Sequence, residues 1–173
     1  EKIDRLPQTE LLKDRGYEIL YLTDDVDEFA LKMMRDYDGK EFRSAADKDL
    51  GLEEAAETEE VKKATEDNKE LLRMMKDALE GKVSDVRLTG RLKSHPVCLS
   101  ADGGISLEME KVLNTMPGDQ KVQAQRVLEL NPSHPVFETL KKLFASDAEQ
   151  VKEYAKLLYD QALLIEGMPI EDP

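Results

Sequence analysis

The sequence predicts an α+β protein: a small helix–strand–helix unit, then a domain with a three-stranded sheet packed by helices. Two observations indicate this class. Apolar and polar residues alternate with a period of two from Asp85 to Leu92, which is typical of a half-buried strand. Residues 146–166 instead repeat apolar side chains at helical spacing. The 173 residues are enough for one domain or two small ones.

The first unit spans residues 1–50. Residues 9–15 predict a short helix that ends at Gly16, and the apolar residues of 26–37 predict a second helix. Between them, residues 17–22 carry apolar side chains on both faces, as in a strand covered on both sides. This αβα unit is too small to fold alone, so we expect it to be the C-terminal end of a larger α/β domain.

A connecting helical segment is predicted at residues 51–81. Between Glu53 and Glu70 the sequence has eight acidic and three basic residues. Charge runs usually face water, so we predict a solvated helix that begins the second domain. An acidic site for a protein partner is the alternative.

The second domain is predicted at residues 82–173. Its strands are expected at 86–92, 97–100 and 127–130, and the first two are expected to form a hairpin through the turn at 93–96. Helices are expected at 105–116, from Pro135 onward, and at 146–166. The last helix has more apolar residues than one core-facing stripe needs, so a partner helix should cover its other side.

Charge and cysteine content narrow the classes of function. The formal net charge of −13 argues against broad electrostatic binding to nucleic acid or anionic lipid. A single cysteine excludes an internal disulfide and favours a reducing compartment, here the cytoplasm. No run of about 18 apolar residues predicts a membrane span. Because the chain starts without Met or a signal peptide, we expect it to be a segment of a longer protein.

No motif predicts a catalytic, cofactor or metal site. The sequence has no glycine-rich phosphate loop, and His95 and His134 each precede a proline in a turn. Cys98 stands between Val97 and Leu99, so we expect a buried, unreactive side chain. An enzyme whose site is built from dispersed carboxylates stays an open alternative.

The helix predicted at residues 105–116 carries an apolar stripe between two chain breakers. Gly103-Gly104 precede it and Pro117-Gly118 follow it. Ordinary core packing is one interpretation of the stripe, and an exposed surface for protein partners is the other, which its methionines favour. The stripe follows the spacing i, i+4, i+7, i+8, i+11 and consists of Ile105, Met109, Val112, Leu113 and Met116.

Several segments, in chain order, resemble the heat-shock protein 90 (Hsp90) chaperone family in the compact form of its bacterial members. Residues 85–92 (DVRLTGRL), 94–100 (SHPVCLS) and 128–136 (LELNPSHPV) are similar to its C-terminal domain. Residues 157–164 (LLYDQALL) are similar to its penultimate helix, and residues 17–28 and 37–40 resemble the end of its middle domain.

The resemblance implies a homodimeric, ATP-driven stress-response chaperone that acts on unfolded or partly folded client proteins. Its ATP and Mg would be bound by an N-terminal domain outside this chain, so this segment itself is expected to be no enzyme and to bind no cofactor or metal. No nucleic acid or membrane partner is implied. The resemblance also assigns client binding to the stripe Ile105, Met109, Val112, Leu113 and Met116.

The resemblance further implies dimerisation through the last two helices of each subunit, which form a four-helix bundle. The penultimate helix matches residues 149–166, and the final helix is expected beyond Pro173. The dimerisation residues assigned in this way are Tyr154, Leu157, Leu158, Gln161, Ala162, Leu164 and Ile165. An acidic interaction scaffold with no client-binding role is the alternative function.

Overall fold

The computed structural model describes residues 6–47, 58–117 and 121–170. These residues form seven α-helices, a mixed three-stranded sheet and a two-stranded hairpin, which confirms the predicted α+β class. The start of the acidic run, residues 53–57, and the breaker Gly118 lie outside the described residues.

The first segment contains a 3-10 turn at Pro7–Thr9, α1 at Glu10–Asp14 and α2 at Asp27–Met34. Both predicted helices are therefore confirmed, in shorter form. A hairpin follows, with β1 at Asp36–Tyr37 and β2 at Lys40–Glu41. Asp38 and Gly39 join the two strands with φ angles of 51° and 72°, as a tight two-residue hairpin turn requires.

The strand predicted at residues 17–22 is wrong. This stretch has no regular secondary structure, and Tyr17 and Leu20 are 52% and 60% exposed. A strand needs a neighbour to pair its backbone N–H and C=O groups, and the described part of the chain places none beside it. The apolar side chains that suggested a strand covered on both faces, such as Tyr17 and Leu20, are therefore exposed.

The connecting segment divides into two helices that behave differently. Helix α3, at Glu59–Asp67, is largely solvent-facing and buries only Val61. Helix α4, at Lys69–Ala78, buries Leu71, Leu72 and Met75 against the sheet and the last helix. The solvated connection is thus confirmed for α3, whereas α4 is part of the following core.

The main sheet consists of β3 at Asp85–Leu88, β4 at Val97–Ala101 and β5 at Arg126–Leu130, in the order β3-β5-β4. Strand β5 is parallel to β3 and antiparallel to β4, so the predicted β3–β4 hairpin is wrong. Four of the five β5 residues are buried. Such a strand is best placed with a neighbour on each edge, and β5 therefore separates the two strands that are adjacent in sequence.

Three helices complete the fold: α5 at Leu107–Thr115, α6 at Pro135–Ser146 and α7 at Ala148–Ile165. Helix α6 begins at Pro135 as predicted, with His134 as its N-cap: Nδ1 accepts a hydrogen bond from the Val136 N–H at 3.2 Å. Helix α7 packs on α4, α6 and β4. The apolar core lies between the sheet and helices α4, α6 and α7.

The first segment meets this body through polar contacts. In chain order, the apolar cluster of the core begins at Val61, after the first segment. The buried Arg91 guanidinium donates to the carbonyls of Ala45 and Asp47, each at 2.9 Å. The Ala101 N–H donates to Ala46 O at 3.0 Å, so residues 45–47 lie against the end of β4.

Candidate protein-interaction site

Helix α5 turns a polar side chain inward. Its buried residues are Leu107 and Glu110, which are 1% and 5% exposed. None of the five residues of the predicted stripe is fully buried: Met116 is 55% exposed, and Ile105 is partly buried against the core. The partly buried members are Ile105, Met109, Val112 and Leu113.

An ion pair holds the inner face of α5. The Glu110 carboxylate pairs with Arg126 of β5, and its Oε2 also accepts from the Ala124 N–H at 3.0 Å. Arg126 donates in addition to the hydroxyl of Tyr159 on α7. Burial alone would lower the pKa of Arg126, but its bonds to Glu110 and Tyr159 raise it on balance. The anchor of α5 therefore includes this charged and polar cluster beside the buried Leu107.

The start of α5 contacts α2 of the first segment. Ser106 is the N-cap: its Oγ accepts from the Met109 N–H at 3.0 Å and donates to Glu28 Oε2 at 2.7 Å. Lys32 Nζ donates to Gly104 O at 2.9 Å and lies 3.0 Å from Met109 Sδ. The Ser106 hydroxyl thus joins the start of α5 to Glu28, 78 positions earlier in the chain.

The C-terminal part of α5 is also held by polar groups. Lys111 Nζ donates to the carbonyl of Glu166, just beyond α7, at 3.0 Å. The Asn114 side chain donates to Val122 O at 2.8 Å and accepts from Val122 N at 2.9 Å. Since these contacts fix the helix without burying Val112 and Leu113, the apolar side chains remain partly open to solvent.

Helix α7 presents a second apolar surface. Tyr154, Leu157 and Leu164 are 40%, 60% and 61% exposed, and Gln161 between them is exposed as well. The steps of three, four and three residues place these four side chains on one face, as in a coiled-coil seam. We call this surface the α7 seam.

The other predicted dimerisation residues have different positions. Leu158 and Ala162 are 4% and 0% exposed and belong to the core of their own chain, because they lie on the α7 face that packs on the body. Ile165 is partly buried. A surface contact of α7 would therefore use the seam and not Leu158 or Ala162.

The central strand β5 contributes to a buried charge network that the sequence patterns did not predict. Glu129 of β5 is fully buried; its Oε1 accepts from Arg87 Nη2 at 2.6 Å and from Ser100 Oγ at 2.7 Å, and lies 3.6 Å from Arg91 Nη1. Burial alone would raise the pKa of Glu129, but Arg91, Arg87 and Ser100 lower it on balance. The signal was present in the sequence, as a lone Glu inside the apolar run 127–130.

The remaining chemical groups are structural in their placement. Cys98 is buried as predicted, and burial raises the pKa of its thiol well above the ordinary value. His95 Nδ1 lies 3.0 Å from Glu10 Oε1, in a contact between α1 and the loop before β4. Within residues 6–47, 58–117 and 121–170, no three His, Cys, Asp or Glu side chains are grouped as metal ligands. No helix in these ranges has the length and apolar character to cross a membrane.

Exposed apolar side chains on two helices of an α+β body are typical of a protein-binding domain. Comparison with known proteins identifies the family. The family model described as Hsp90 protein matches residues 1–173, so the chain belongs to the Hsp90 family, and the resemblance seen in the sequence is confirmed.

Curated relatives match along the whole chain. The chaperone protein HtpG of Clostridium acetobutylicum is 58% identical over 173 residues, which is 100% of this chain and 27% of that protein. HtpG of Oceanobacillus iheyensis is 58% identical and that of Bacillus subtilis 51%, in each case over 100% of this chain and 28% of the relative. The chain thus spans a little over a quarter of the length of these chaperones.

Proposed function

We propose that this chain is the part of an ATP-dependent, cytoplasmic stress-response chaperone that binds unfolded client proteins through α5 and joins a second copy through α7. One observation carries the client-binding proposal. Helix α5 directs Glu110 into the protein and leaves Met109, Val112, Leu113 and Met116 partly or largely exposed.

An ordinary surface helix turns its apolar face toward the core. In α5, Glu110 shares the buried face with Leu107, while Met109, Val112 and Leu113 stay only partly buried. An exposed apolar patch on a folded protein normally marks a binding surface. A client segment that covers such a patch gains about 25 cal/mol per Å² of apolar surface removed from water. Met109 and Met116 suit varied clients because the thioether side chain is flexible and polarizable.

The proposed contact between two copies uses the α7 seam. Leucines at 60% and 61% exposure are unusual for a helix that already buries its opposite face, and a partner helix would cover them. The family resemblance supplies the occupant, the same helix of a second subunit together with the final helix of the bundle.

The proposed role of this part is mechanical. ATP and Mg would be bound by a region of the relatives that this chain does not match, and we assign none of the described residues to that site. Movements driven there would reach the client surface through the polar contacts between the first segment and the body, such as Arg91 with the Ala45 and Asp47 carbonyls.

The test is a double substitution, Met109→Glu with Met116→Glu, in the 173-residue chain. We expect the affinity for a permanently unfolded protein, reduced and carboxymethylated lactalbumin, to fall about 10-fold, because two carboxylates would be desolvated in the contact. The urea midpoint should stay unchanged. Lys63→Glu on α3 makes the net charge more negative by the same two units and should leave the affinity unchanged.

Two results would overturn this proposal. If the doubly substituted chain unfolds, the stripe is a structural part of the core. If it stays folded and binds the unfolded protein as before, α5 is not the client surface, and the acidic scaffold with no client role becomes the better account.

A further inference from the structure

Two side chains of α2 lie on the first turn of α5, and their position bears on how much of the client surface is open. We propose that Glu28 and Lys32 form a latch that limits access of protein partners to Met109. This inference rests on the proposed function of α5. We call the contacts of Glu28 and Lys32 with Gly104, Ser106 and Met109 the α2 latch.

Glu28 fixes the start of α5 through its N-cap. The Ser106 hydroxyl has one hydrogen, which it donates in a hydrogen bond to Glu28 Oε2. Its oxygen is therefore oriented to accept a hydrogen bond from the Met109 N–H. Ser106 is 4% exposed and the Glu28 side chain 16%, so this charge-assisted bond is largely shielded from water. Gly103 lies before the cap with a φ of 111°, a backbone conformation that other residues rarely adopt.

Lys32 covers the methionine directly. Its ammonium lies 3.0 Å from Met109 Sδ, is bonded to Gly104 O, and is 3.4 Å from Glu28 Oε1. An ammonium group is strongly hydrated. An apolar partner segment placed on Met109 would have to displace Lys32 or remove its water, and either step opposes binding.

The latch depends on how the first segment sits on the body. Helix α2 belongs to that segment, whose described contacts with the body include the Arg91 and Ala101 bonds to residues 45–47. When the first segment moves away, water can take the place of these hydrogen-bond partners, so each bond opposes the movement only modestly. Displacement of α2 would therefore withdraw Glu28 and Lys32 together and open Met109.

The first measurement is the rate of methionine oxidation by dilute hydrogen peroxide, followed by mass spectrometry. Oxidation follows the exposure of the thioether, and the 55% exposed Met116 serves as an internal reference on the same helix. In Lys32→Gln and in Glu28→Gln, we expect the Met109 rate relative to Met116 to rise about 3-fold. Lys32→Arg, which keeps the charge and reach, and Lys63→Gln on α3 should both match the unsubstituted chain.

The second measurement is the affinity for reduced, carboxymethylated lactalbumin. Lys32→Gln should tighten binding about 3-fold, since an apolar segment no longer has to desolvate an ammonium. An unchanged Met109-to-Met116 ratio would overturn the latch. A raised ratio with unchanged affinity would also overturn it, because α2 would then only support the fold.

Failure of the latch and failure of the proposed function give different results. Because Met109 itself contacts Lys32, Met116→Glu alone, at the other end of α5, tests the client surface away from the latch. If Met116→Glu weakens binding and the Lys32 variants do not alter it, the client surface stands and the latch is rejected. If neither Met116→Glu nor the double substitution has an effect, the client surface is rejected, whatever the oxidation rates show.

Discussion

Glu110 of α5 and Arg126 of β5 form a shielded ion pair beneath a helix whose apolar residues are partly exposed. Their side chains are 6% and 13% exposed. A rotation of α5 that turned Val112 and Leu113 inward would separate this pair and leave Arg126 facing apolar side chains. Separation of a buried pair costs several kcal/mol, so the pair sets the orientation of the helix.

Glu110→Ala should lower the free energy of unfolding by about 3 kcal/mol, because Arg126 and the Ala124 N–H would lose their acceptor. Urea unfolding followed by circular dichroism measures the change. Glu108→Ala is the matched control on the exposed side of α5, where its pairing with Lys111 is worth less than about 1 kcal/mol. An equal effect of the two substitutions would show that the Glu110 pair does not anchor the helix.

The Glu129 network predicts a dependence of stability on pH. The pKa of Glu129 is lowered in the folded chain, so its ionised form stabilises the fold above the ordinary glutamate range. That stabilisation is lost as the pH falls through the lowered folded value. Glu129→Gln should therefore reduce the free energy of unfolding by about 3 kcal/mol at pH 7 and by progressively less as the solution becomes more acidic.

The measurement is a series of urea unfolding curves from pH 7 to pH 3. Glu70→Gln on the exposed face of α4 is the control and should follow the unsubstituted chain at every pH. A difference between Glu129→Gln and the unsubstituted chain that stays constant down to pH 3 would contradict the lowered pKa.

Sequence patterns predicted the helices well because apolar spacing and breakers are local signals. Gly16 and Pro135 mark helix boundaries in both the sequence and the structure. The order of the strands in the sheet depends on contacts between distant parts of the chain, so local patterns did not predict it. Strand β5 enters between β3 and β4 from about 25 residues further along the chain, so adjacency in sequence suggested a hairpin that does not exist.

The helical stripe of α5 could be read from the sequence, but the orientation of the helix could not. The spacing of Met109, Val112 and Leu113 identified the stripe, but which face of α5 is buried depends on Arg126, whose position no helical period reveals. The apolar count of α7 indicated two covered sides, yet only the structure separates the core residue Leu158 from the exposed Leu157. In both helices, contacts with residues distant in sequence determine which face is buried.

The hydrogen bonds of Arg91 hold the first segment on the body of the protein, which gives a further prediction. Its two terminal nitrogens reach the Ala45 and Asp47 carbonyls at once, a geometry that a lysine ammonium cannot reproduce. Arg91→Lys should speed trypsin cleavage within residues 13–43 several-fold, because local opening becomes easier. Arg73→Lys on α4, where the side chain is 83% exposed, is the control. Cleavage at an unchanged rate in Arg91→Lys would show that this contact does not hold the segment.

The α7 seam predicts the effect of charge on self-association. If two copies associate through the seam, Leu157→Glu with Leu164→Glu should dissociate them, because four carboxylates would meet in the contact. Sedimentation equilibrium is the measurement, on the 173-residue chain and on a form that continues beyond Pro173. Lys156→Glu is the control, since Lys156 lies on α7 outside the seam and its substitution changes the net charge per chain by the same two units. The seam would be rejected if the double variant remained a dimer, and equally if Lys156→Glu dissociated the copies to the same extent.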